Sequence, residues 1–110
     1  MFEQAQAGTI TYEVFHARGD FFWTSLHYGY ETSSKQIREA FEEGLYRLED
    51  TFSLPAVDIR EQLEKLFKIT NHGNWGRPDS RSTSVGDVVR VQNQYWIVAP
   101  EGFDYGWRDG

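Results

Sequence analysis

The sequence predicts an α+β fold: an antiparallel sheet of about four to five strands in the order β-β-α-α-β-β, with two helices packed on one face. Three observations predict it. Runs rich in β-branched and aromatic residues open and close the chain, whereas helical periodicity is confined to the middle. Two of the C-terminal runs flank a two-residue polar turn, Gln92-Asn93, which reads as a hairpin. The chain has no cysteine and 16% aromatic residues, so its core must come from packing of large rings rather than from disulfides.

The elements follow in order. Residues 1–7 show no period and read as a frayed end, as do residues 108–110, of a single domain spanning 1–110. From Thr9 to Arg18, Ile10, Tyr12, Val14 and His16 alternate with Thr11, Glu13 and Phe15, which predicts a strand. Gly19-Asp20 marks a turn, and the aromatic run Phe21 to Tyr30 predicts a second strand or, failing that, an aromatic loop. Thr32-Ser33-Ser34 offers capping hydroxyls to a helix over about 34–50, whose inner face carries Ile37, Ala40, Phe41, Leu45 and Leu48. Gly44 weakens that helix. Pro55 or Ala56 opens a second helix with Val57, Ile59, Leu63, Leu66 and Phe67 on one side. Residues 70–84 are a long polar loop with two glycines and a proline. The runs Val85 to Val91 and Gln94 to Ala99 form the hairpin, and a short strand follows around Phe103 to Trp107.

Charge narrows the function classes. The net charge is -6 and the pI about 4.9. An acidic surface is repelled by phosphate backbones, so nucleic acid is a disfavoured partner and a protein partner the expected one. No run of about 20 apolar residues is present, so no membrane span is expected, and the default compartment is the cytoplasm.

Catalytic and metal motifs are missing. His16 and His27 would meet only if residues 21–30 formed a hairpin with the first strand, where Asp20 or Glu31 would complete a metal site; no H-E-x-x-H pattern supports one. Glu42-Glu43 and Glu49-Asp50 are adjacent, which points them about 100° apart on a helix and excludes a facing dyad. There is no G-x-S-x-G, no phosphate-binding glycine loop and no thiol. His72 with Asp79 or Asp87 is the remaining acid–base candidate. The chain reads as a non-enzyme with no cofactor and no metal.

Two regions stand out for binding. Trp75, Arg77 and Arg81 concentrate positive charge and an indole in the long loop, a combination suited to an anion or a base. Trp23 on one side, and Phe103, Tyr105 and Trp107 on the other, supply more rings than one small core needs. Asp87 completes the candidate set because it can accept from backbone N–H groups at the entrance to a strand.

The stretch Leu63 to Phe103 resembles the C-terminal half of the YodL-like domain, found in small accessory proteins of bacteria and in conjugative and phage-like elements. Arg81, Ser82, Ser84, Val85, Asp87 and Val88 match its Arg-Ser-x-Ser-Val-x-Asp-Val segment, and Gly102-Phe103 its close. Gly86 stands where a second Ser is common, and Ala99-Pro100-Glu101 replaces an Asp-Ser pairing. The resemblance implies a small cytosolic protein of plasmid or phage origin that acts by binding, and it brings no catalytic residues. The expected function is therefore a non-enzymatic, protein-binding accessory protein. The alternatives are an anti-restriction inhibitor presenting the carboxylates of 39–64 as a DNA mimic, and a nucleic-acid module using the 74–81 loop.

Overall fold

The computed structural model describes residues 8–71 and 81–109. The chain runs β1 (Thr9–Ala17), α1 (Phe21–Ser25), α2 (Ser34–Glu42), β2 (Tyr46–Pro55), α3 (Ile59–Thr70), β3 (Val88–Val91), β4 (Gln94–Val98) and β5 (Phe103–Arg108). The fold is α+β: a five-stranded antiparallel sheet in the order β2-β1-β3-β4-β5, with three short helices. Among the described residues no helix is long and apolar enough to cross a membrane.

The strand alternation reads through to the sheet. Tyr12, Val14, Val89, Val91, Trp96, Val98 and Phe103 share one face and pack with Leu63 and Leu66 of α3. Ala17, Val88, Tyr95, Ile97 and Trp107 share the other and pack with Ile37 and Ala40 of α2. The helices therefore cover opposite faces, where the sequence suggested one. A sheet made of near-continuous apolar runs such as Val-Val-Arg-Val and Tyr-Trp-Ile-Val cannot leave either face to water.

Two segments differ from the sequence reading. Residues 21–30 are not a strand: α1 takes up 21–25 and a series of turns the rest. The helix foreseen over 34–50 ends at Glu42, and 46–55 is the edge strand β2. Gly44 at φ +85° reverses the chain there, because a left-handed residue ends a helix and glycine adopts it without a Cβ clash. The second helix starts at Ile59 with Asp58 as its cap, its carboxylate accepting from Arg60 N. Pro55 closes β2 instead.

The hairpin and the last strand are found as expected. Gln92 and Asn93 both have positive φ, 51° and 65°, the requirement of a type I′ turn. The C-terminus is tied down further than foreseen: Arg108 pairs with Gln94, and Asp109 N donates to Asn93 O.

Candidate functional site

The Arg-Ser-Thr-Ser-Val-Gly-Asp segment is a clasp at one end of the sheet. Asp87 is fully buried. Its Oδ1 accepts from Ala17 N at 3.0 Å and from Arg81 Nη2 at 2.9 Å. Its Oδ2 accepts from Ser84 N at 2.7 Å and from Arg81 Nη1 at 2.8 Å. Arg81 also donates to the carbonyls of Ser82 and Ala17. A buried carboxylate is tolerated when its lone pairs are filled in this way. His16, also buried, lies 3.1 Å from Thr83 Oγ1 and 3.9 Å from Asp87 Oδ2 through its Nε2.

Gly86 locks the clasp to a neighbouring loop. Its φ is +90°, and a Cβ there would lie 2.1 Å from Ser25 O. Tyr46 Oη donates to the Gly86 carbonyl, and Gly86 N donates to Val98 O. Burial, with the negative charge of Asp87 adding to it, pushes the Tyr46 phenol well above its usual range.

The loop against Gly86 spans residues 19–32 and is bonded mostly to itself. Ser25 Oγ donates to Phe22 O, and Thr32 Oγ1 to Thr24 O. The His27 carbonyl accepts from the amides of Tyr30, Glu31 and Thr32. The Tyr28 phenol reaches Asp104 Oδ2 of β5 at 2.8 Å. Such a compact, internally satisfied loop is a stiff platform on the surface. It displays Trp23, 65% exposed, and Tyr30, 79% exposed, the two most exposed large hydrophobic side chains among the described residues. Beside Trp23 lies an open cleft of about 360 Å³ lined by Thr24, His27, Glu31, Thr32 and Gln36. The His27 Nδ1–H donates to Trp23 O at 3.0 Å.

The sequence-selected residues separate into groups. Trp23 is exposed on this platform, and Tyr105 is half-exposed on β5, its ring edge-on to Trp96. Phe103 and Trp107 are buried, one on each face, so they hold the sheet together and offer no ring to a partner. Asp87 is likewise withdrawn from any partner, because all its acceptor directions are used inside the clasp. Arg81 is half-buried and neutralised by Asp87, with its guanidinium 4.4 Å above the Phe22 ring. Trp75 and Arg77, like His72 and Asp79, lie outside the described residues. Tyr30 was missed by sequence reasoning. The signal was the Ser, Thr and Gly residues interleaved with the aromatics of 21–32, which favour local turns over a ladder.

Other candidates are dispersed by the fold. His16 is buried under Thr83 and His27 is exposed on the loop, so the two do not meet. Among the described residues no group of three His, Asp or Glu side chains could hold a metal ion. The carboxylates of 39–64 form no single face: Glu39 and Glu42 belong to the α2 layer and Glu61 and Glu64 to the α3 layer, across the sheet.

A second concavity, about 380 Å³, lies between the end of α3 and the β4–β5 turn. Its floor includes Phe67, Pro100 and Phe103, and its rim carries Glu64 and Glu101 together with Lys68. No family model matches the chain, and neither a curated protein nor a solved structure is similar to it.

Proposed function

We propose that this chain is a small, non-enzymatic binding protein whose partner is another protein, docked on the 19–32 platform. The observation that carries the reading is the exposure of Trp23 and Tyr30 on a loop whose backbone is already satisfied. Rigid exposed aromatics lose little entropy on docking and are enriched at the energetic centres of protein interfaces. The cleft beside Trp23 gives a partner polar groups to pair with around that ring. The net charge of -6 favours a partner with a basic surface. An accessory role in a plasmid- or phage-borne system draws its support from the YodL-like pattern of 81–103.

The test is affinity capture from nuclease-treated bacterial lysate with the wild-type chain and with Trp23→Ala and Tyr30→Ala. A stoichiometric protein held by wild type and weakened about 30-fold by Trp23→Ala is expected, the size of an interface hot spot. A partner retained equally by both variants would move the site elsewhere. Binding that appears only when nuclease is omitted would replace the reading with a nucleic-acid one.

A further inference from the structure

Beside the Gly86–Ser25 contact, a second route joins the exposed Trp23 to the buried clasp, through the Phe22 ring. Phe22 packs edge-on against Trp23, with centroids 5.2 Å apart. The Phe22 ring also packs against the α2-side core, and the Arg81 guanidinium lies 4.4 Å from its centroid. That guanidinium is fixed in plane by two parallel bonds to the fully buried Asp87 and by the Ala17 carbonyl of β1. We infer that Arg81 is a positioning residue for Trp23: it holds the Phe22 ring, and through it the indole, at a fixed angle to the sheet.

The chemistry of Arg81 suits this role better than direct ligand contact. Its charge is already met by Asp87, and a planar fork that is bidentate on one side can stack flat on an aromatic ring on the other. Lysine in its place would keep the charge opposite Asp87 but lose both the fork and the flat face. The inference deepens the proposed function, since a pre-set indole is what makes Trp23 a low-cost docking group. It is tested without any partner, so its failure and the failure of that function are read separately.

The experiment follows the indole and amide ¹⁵N signals of Trp23 in wild type, Arg81→Lys, Phe22→Leu and the double variant. The indole signals of the buried Trp96 and Trp107 report in the same spectra whether the sheet is intact. In Arg81→Lys the Trp96 and Trp107 signals should stay in place. The Trp23 indole signal should shift and its indole N–H order parameter should fall from about 0.85 to below about 0.6, while the backbone amide stays ordered. In the Phe22→Leu background Arg81→Lys should add nothing further at Trp23, because the route is already cut. An unchanged Trp23 in Arg81→Lys would overturn the proposal, as would an equal effect in both backgrounds. Should Arg81→Lys also collapse the Trp96 and Trp107 signals, wild type and Phe22→Leu decide: Arg81 guanidinium protons shielded in wild type, together with a Trp23 loosened in Phe22→Leu, sustain the role, whereas unshielded Arg81 protons in wild type or a Trp23 that stays rigid in Phe22→Leu overturn it.

Discussion

Two glycines with nearly the same backbone show how much a single position can carry. Gly44 has φ +85° and Gly86 φ +90°, so an added side chain is strained at both. Around Gly44 a Cβ meets nothing within 4 Å, whereas at Gly86 it meets Ser25 O at 2.1 Å and the Ser25 Cβ at 2.6 Å. Gly44→Ala should therefore cost about 1–2 kcal/mol, the conformational term alone. Gly86→Ala adds a backbone collision that no rotamer relieves, and it should cost about 4 kcal/mol or more, or displace the 19–32 loop. Urea titrations of the two variants read the difference directly; equal costs would mean that the loop yields freely. Asp87 is the other residue whose role is larger than its size. Asp87→Ala strands a half-buried guanidinium and two amides, a loss of about 3–5 kcal/mol in the same titration. The sequence pointed to Asp87 as an acceptor for backbone amides at the entrance to the strand, which Ser84 N bears out, and to Arg81 as a binding residue. What it did not disclose was the burial, because Ala17 and Phe22, the groups that enclose the pair, come from a distant part of the chain.

At the scale of elements, local chemistry was legible where it acted alone and hidden where two patterns overlapped. The Gln92-Asn93 hairpin depends on neighbours only, and it was read with its turn. The 34–50 segment contains two overlapping periods. Ile37, Ala40 and Phe41 follow the helical repeat, and Leu45 and Leu48 happen to continue it. Tyr46, Leu48, Phe52 and Leu54 also alternate in twos, and the sheet uses that period. A bulge opposite Val14 and Phe15 then sends Tyr46 to the α2 face and Phe52 and Leu54 to the α3 face. Aromatic β-propensity in 21–30 lost to tertiary packing: Phe21 and Phe22 pack against the α2-side core from a helical turn. The hairpin turn itself leaves room for improvement. Gln92 holds φ 51°, where a side chain costs about 1–2 kcal/mol and glycine nothing; set against about 0.5–1 kcal/mol of extra unfolded-chain entropy, Gln92→Gly should raise stability by about 0.5 kcal/mol. A lower urea midpoint in that variant would show that the Gln92 side chain makes contacts worth more than the turn strain.

For the whole molecule, the sheet is a wall shared by two cores, and buried phenols are built into both. Tyr28, Tyr46 and Tyr95 belong to the α2 side and Tyr12 to the α3 side. Burial is the first cause raising the pKa of all four, followed by a negative neighbour or hydrogen-bond acceptor: Asp104 for Tyr28, Asp87 for Tyr46, Asp109 for Tyr95 and Asp58 for Tyr12. The sign of the linkage is fixed by that direction. Above the unfolded phenol pKa of about 10 the unfolded chain releases protons that the native chain retains. The stabilisation is thus complete below about pH 10 and is lost as pH rises beyond it toward the folded values. Because phenols on both faces share the shift, both cores should give way in one transition rather than layer by layer. Urea midpoints should fall steeply above about pH 10, with tyrosinate absorbance rising together with the loss of the near-ultraviolet signal of the buried Trp96 and Trp107. Tyr46→Phe should reduce the slope of that fall, since one of the shifted groups is gone. A midpoint that holds above pH 10, or tyrosinate forming while the tryptophan signal persists, would mean that the buried phenols ionise inside an intact sheet.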